Sequence, residues 1–167
     1  VLAVGLPAIF IDAIVVATTI LGGILIGRML KMDRGVALLT SIGSGICGAA
    51  AILGAESTIQ TKPYKTAVAV STVVIFGTLS MFIYRNGTFM LSPNEMGIFT
   101  GATLHEVAHT VGAGNAMGKE ISDVAIIVKM IRVMMLVPVL LITSFMVSRA
   151  AVKTGGQGGR MKDISIP

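Results

Sequence analysis

Apolar positions in this chain fall in long runs, with no stretch of strict polar and apolar alternation. The first run, residues 7–29, is PAIFIDAIVVATTILGGILIGRM. Asp12 is its only interior charge, and its place near the start predicts a carboxylate at the membrane interface. The second run, 34–60, opens after Asp33, a good helix N-cap. It holds GSGICG at 43–48, three glycines in six residues. Each glycine weakens a helix by about 1 kcal/mol relative to alanine, so the spacing predicts a broken helix near 43–48. Lys62-Pro63 closes it. The third run, 64–84, is rich in β-branched residues, but its length favours a helix over a strand. Ser92, Pro93 and Glu95 supply an N-cap, a first-position proline and a capping box for a fourth helix over 93–113. The fifth, 120–149, carries Pro138, a predicted kink, and is followed by TGGQGG within a linker over 150–163.

A helix needs about 20 apolar residues to cross a bilayer. The pattern therefore predicts an all-α polytopic membrane protein, one membrane domain of five crossings over residues 1–167. The predicted fold is a transmembrane helix bundle with a broken helix. Composition agrees. Apolar residues make up 54% and charged residues 13%, about half the charge of an ordinary soluble domain. Mean hydropathy is +0.89. The chain starts within an apolar segment without a Met, which we read as part of a longer polypeptide whose remainder supplies further contacts.

The net charge is +5, with no Trp and two Tyr. Basic residues sit mainly between apolar runs, which argues for membrane topology and against nucleic acid as a partner. With five crossings, Arg28, Lys31, Arg34, Arg85, Arg149, Lys153, Arg160 and Lys162 fall on one side and Lys62, Lys65 and Lys119 on the other. That asymmetry predicts that the 28–34 loop and the 150–163 linker lie in the cytoplasm. The single Cys47 allows no intrachain disulfide.

Two features carry candidate chemistry. HEVAH at 105–109 matches the zincin pattern, in which His105 and His109 share a helix face and bind Zn²⁺ while Glu106 acts as general base. No recognisable third ligand follows. The competing reading takes Gly97, Gly101, His105, His109 and Ala113 as one i, i+4 stripe, a small-residue packing face that turns polar groups inward. Lys129 and Arg132 stand three apart inside the fifth run. Charges at such depth are costly and face a cavity or a partner. Glu106 is the natural counter-ion.

The stretches LLTSIGSGICGAAAILGAESTI (38–59), TAVAVSTVVIFGTLSMFIY (66–84), LSPNEMGIFTGATLHEVAHTVGAG (91–114) and DVAIIVKMIRVMMLVPVLL (123–141) are similar to the YeiH-like sulfate exporter family of membrane proteins. The chain resembles the later half of such a protein. The resemblance implies a multi-span, transporter-like bundle in a bacterial inner membrane, one half of an inverted-repeat transporter with a broken helix. His109 and Gly45 stand where that family often has Gln and Ala. Gln is a poor zinc ligand, which counts against a shared zinc chemistry.

The expected function is secondary transport or export of a small anion, sulfate or a related sulfur-containing anion, with no cofactor. Its expected substrate-binding residues are Gly43, Ser44, Gly45, Cys47, Gly48, His105, Glu106, Lys129 and Arg132. The broken helix would aim backbone N–H groups at the anion, and His105 and Glu106 would orient the site or carry a coupling proton. The alternative is an intramembrane zinc metalloprotease using His105, His109 and Glu106.

Overall fold

The computed structural model describes residues 5–86 and 90–153. They form α1 (Gly5–Met29), α2 (Arg34–Gly45), α3 (Ala49–Ile59), α4 (Pro63–Asn86), α5 (Pro93–Thr103), α6 (Val107–Met117), α7 (Lys119–Met134) and α8 (Leu136–Lys153). The predicted linker at 154–159 and the rest of the C-terminal segment lie outside the described residues. The fold is an all-α membrane helix bundle. Among the described residues three helical stretches are long and apolar enough to cross a membrane: Phe10–Met29, Pro63–Arg85 and Lys119–Phe145, the last running through α7 and α8. Large apolar side chains such as Leu21, Leu25, Phe76, Leu79, Leu141 and Ile142 are exposed along them, as lipid contact requires.

Residues 34–60 do not form a single traverse. Asp33 caps α2, its side chain accepting from the amides of Gly35 and Val36. The same carboxylate receives the ammonium of Lys65, on the first turn of α4, at 2.8 Å. A β-carbon on Gly35 would lie 3.4 Å from Thr61, just past the end of α3. One on Gly43 would lie 2.6 Å from Ile52. The start of α2 therefore meets the end of α3, and the two helices run antiparallel as a fold-back hairpin. Ile42, Ile46, Ile52, Ala55 and Ile59 fill its seam within the main apolar core.

Residues 93–113 depart from expectation in the same way. The helix opens with the predicted capping box at Ser92 and Glu95 but stops at Thr103 and restarts at Val107. Near the start of α5, a β-carbon on Gly97 would touch Val124 and the Ile121 carbonyl. Near the end of α6, one on Gly114 would touch Ser122, whose hydroxyl donates to Asn115 Oδ1 at 2.8 Å. Both ends of this second hairpin thus lie against the first turns of α7.

Length explains why the sequence reading took each hairpin for a crossing. A run of 21–27 mostly apolar residues is long enough to span a bilayer once or to go halfway in and back. The two hairpins enter from opposite ends of the bundle. Each is followed by one long helix, α4 after the first and α7 after the second, so two hairpin-plus-helix units of opposite direction lie within this one chain.

The long helices are held by small-residue seams. Gly23 and Gly27 of α1, four apart, pack against Ser41 and Ala37 of α2. Gly101 of α5 lies so close to α7 that a β-carbon there would be 2.5 Å from the Ala125 carbonyl. Such contacts let backbones approach where lipid supplies no hydrophobic drive.

Candidate functional site

The two hairpin tips meet in the interior. At the first tip α2 ends at Gly45, and α3 begins after Gly48, whose φ of 76° and ψ of −131° suit only glycine. At the second tip Leu104 and Glu106 are extended, with ψ of 143° and 152°. No glycine or proline marks this break, and the sequence gives no local signal for it beyond two adjacent polar residues, His105 and Glu106.

A helix C-terminus leaves its last carbonyls unbonded and carries about half a negative charge. Here two such ends, those of α2 and α5, are buried side by side. The cations of α7 satisfy them. Lys129 Nζ donates to Ile46 O at 3.1 Å and also to Leu104 O. Arg132 Nε donates to Gly45 O at 2.8 Å, and its Nη1 donates to the Ala102 carbonyl. Both side chains are fully buried. Three residues apart on one face of α7, each reaches both tips.

Glu106 makes no direct ion pair with Lys129 or Arg132 among the described residues, although its charge acts on Lys129. Its Oε1 accepts from the Ala49 amide at 3.4 Å, at the N-terminus of α3. Gly48 makes room for it, since a β-carbon there would lie 2.4 Å from Glu106 Cγ. The carboxylate that faces Arg132 is Asp12 of α1, with Oδ1 4.0 Å from Nε. Asp12 is 1% exposed, and neither carboxylate oxygen has a hydrogen-bond partner among the described residues. Its predicted interfacial position is therefore corrected. The sequence did contain a signal. Asp12 lies on the line of Val16, Ile20, Gly23 and Gly27, the face that α1 turns to the bundle.

The HEVAH segment is not a helical zincin motif. The break at 104–106 leaves His105 and Glu106 outside the helix and His109 in the first turn of α6. The predicted stripe through Gly97, Gly101, His105, His109 and Ala113 is cut at the same point. His109 Nε2 shares a hydrogen bond with Thr78 Oγ1 at 3.2 Å and lies 3.8 Å from Glu106 Oε2. Its Nδ1, facing Gly77, has no hydrogen-bond partner among the described residues, nor does His105 Nδ1. Among the described residues no three His, Cys, Asp or Glu side chains are grouped to hold a metal ion.

The remaining expected residues divide. Gly43 and Gly45 lie in the last turn of α2 and pack on Ile52 and Ile20. Cys47 is a buried free thiol within the apolar core. Ser44 is half-buried beside the tip.

These features define a multi-pass α-helical membrane protein whose interior polar groups gather where two interrupted helices meet. The chain belongs to the family described as Conserved hypothetical protein 698, whose model matches residues 1–167. It is 70% identical to a UPF0324 membrane protein of Bacteroides thetaiotaomicron, covering 100% of this chain and 51% of that protein. A UPF0324 membrane protein of Bordetella bronchiseptica is 47% identical over 99% of this chain and 52% of its own length. One from Wolinella succinogenes is 49% identical over 86% and 45%. The chain thus spans about half the length of the curated relatives it matches. No solved structure matches it.

Proposed function

We propose that the protein containing this chain is a secondary transporter of a small anion, sulfate or a related sulfur-containing anion, across the bacterial inner membrane. The observation that carries this reading is the pair of buried cations, Lys129 and Arg132, each bonded to both hairpins at their tips. Discontinuous helices meeting at a buried charge are a recurrent way to build a binding site near the bilayer midplane.

The chemistry favours an anion. The N-termini of α3 and α6 open beside Lys129, and the α6 N-terminus has no side-chain cap. The α3 N-terminus already holds one anionic oxygen, that of Glu106, to which the Ala49 amide donates. The likeness to sulfate exporters noted above points the same way.

In this reading α1, α4 and α7–α8 cross the membrane, and the two hairpins are re-entrant from opposite faces. Charge distribution supports it. Arg28, Lys31, Arg34, Lys62, Lys65 and Arg149 then lie at one end, with Arg85 and Lys119 at the other. This bias is stronger than five crossings give, and it sets the 28–34 loop in the cytoplasm.

The test is sulfate counterflow. Full-length protein in proteoliposomes preloaded with sulfate should take up labelled sulfate, and Lys129→Met should abolish uptake. Absence of counterflow by the wild type for sulfate, sulfite and small sulfonates alike would overturn the proposal.

A further inference from the structure

We infer that Asp12 is a proton-binding site whose protonation is coupled to anion binding at the hairpin tips. The functional half of this inference rests on the transporter reading; the protonation site itself rests on the geometry of α1 and α7.

Asp12 is fully buried, yet neither of its oxygens receives a hydrogen bond among the described residues. A carboxylate kept permanently ionised at such a place is normally bonded by its partner, because an ion without donors is costly to bury. Arg132 is close enough to be that partner and is engaged elsewhere. The same atom, Arg132 Nε, lies 2.8 Å from Gly45 O and 4.0 Å from Asp12 Oδ1. One N–H therefore has two competing acceptors. When Asp12 is protonated, the guanidinium stays on the carbonyls and holds the ends of α2 and α5. When Asp12 is ionised, Nε is drawn toward the carboxylate and the Gly45 carbonyl loses its donor.

Charge at the site leads to the coupling. Lys129 and Arg132 contribute two positive charges. The α2 and α5 C-termini contribute about half a negative charge each, and the α3 and α6 N-termini about half a positive charge each. Glu106 is negative. With Asp12 ionised and the histidines neutral, these contributions cancel. Protonation of Asp12 leaves a net charge of about +1, which an anion can neutralise. The ionisable groups that act on Asp12 are Arg132 and Lys129 on α7; Cys47 at the first tip and Glu106 at the second act on Lys129. The ionisable side chains of α2 and α5, Arg34 and Glu95, lie in the first turns of those helices, away from the tips. Proton and anion then bind together and move in the same direction.

Two measurements on the full-length protein test this. In weakly buffered detergent solution, sulfate binding should be accompanied by uptake of about one proton. Asp12→Asn should bind sulfate without that uptake, while Asp12→Glu should retain it. Sulfate binding with no proton uptake by the wild type, or undiminished uptake by Asp12→Asn, would overturn the coupling. In parallel, pH-difference infrared spectroscopy should show a protonated-carboxyl band that is lost in Asp12→Asn and shifted in Asp12→Glu. If Asp12→Asn does not fold, the shift in Asp12→Glu carries the assignment. A carboxyl band unchanged in these variants refutes the proton site whether or not sulfate binds. Failure of the wild type to bind sulfate, with the band assigned to Asp12, refutes the choice of anion and leaves the proton site standing.

Discussion

Replacing Gly48 by alanine tests the geometry of the first tip. Two separate costs follow from the structure. The backbone sits at φ 76°, ψ −131°, and a residue held in so sparse a region costs about 1–3 kcal/mol. The new methyl would also lie 2.4 Å from Glu106 Cγ and 3.1 Å from its Oε1. Glu106 would have to leave the α3 N-terminus, and forcing extra volume into a packed site costs about 1–3 kcal/mol. The expected destabilisation of Gly48→Ala is thus about 2–6 kcal/mol. Gly22→Ala is the matched control. It lies in the middle of α1 with no other atom within 4 Å of the added methyl, and replacing a helix-interior glycine there should stabilise by about 0.5–1 kcal/mol. Reversible unfolding in mixed micelles, read by helical circular dichroism, gives both values. Combining Gly48→Ala with Glu106→Ala should recover the steric part and leave the backbone part. Equal stability of Gly48→Ala and Gly22→Ala would refute the account of this tip.

Three further outcomes follow. Lys129→Met should destabilise by at least about 2 kcal/mol, because it strips the donor from two buried carbonyls at about 1–3 kcal/mol each; the same unfolding assay reads it, and a loss below 1 kcal/mol would mean that the tips do not depend on this cation. In a background with Cys47 replaced, cysteines introduced at Lys31 and Lys62 should react with an impermeant maleimide from the same side, and one at Met117 from the opposite side; opposite labelling of 31 and 62 would restore a crossing over residues 34–60. Asp33→Asn keeps the helix cap but removes the charge bonded to Lys65, and that bond holds the Asp33 carboxyl below its usual value of 3.8. A depressed carboxyl stabilises above the unfolded value and loses this contribution as pH falls through the native one. Asp33→Asn should therefore cost up to about 1 kcal/mol near neutral pH, screened because Asp33 is partly exposed, and nothing once the pH is well below 3.8; a difference that persists in strong acid would point away from the ion pair.

Much of the secondary structure was legible. Hydropathy located α1 and α4, the Ser92–Glu95 capping box marked the start of α5, and the glycines of 43–48 marked the first break. The path of the chain was less so. Hydropathy reports that a segment avoids water, and a fold-back hairpin avoids it as well as a crossing does. The decisive information is in pairs distant in sequence, such as Asp33 with Lys65 and Gly114 with Ser122. The second break escaped because Leu104, His105 and Glu106 are compatible with a helix; the interruption there is supported by Lys129 and Arg132, which bond the carbonyls it frees. Those cations were recognisable as buried. Their partners were sought among carboxylates, whereas all four of their hydrogen bonds among the described residues go to backbone, which carries no side-chain signature.

The dependence of both tips on α7 also bears on how the chain is made. Lys129 and Arg132 lie 83 and 87 residues beyond the first-tip carbonyls they bond. During synthesis the first hairpin leaves the ribosome long before its donors exist. Until residues 129–132 follow, its carbonyls must stay in water or within the insertion machinery, because bare lipid offers them no donor. On the proposed re-entrant topology, insertion of this region is not sequential, helix after helix: the first hairpin waits, the second joins it, and the arrival of α7 seats both, so a chain interrupted before residue 129 would leave the tip carbonyls of both hairpins without these donors.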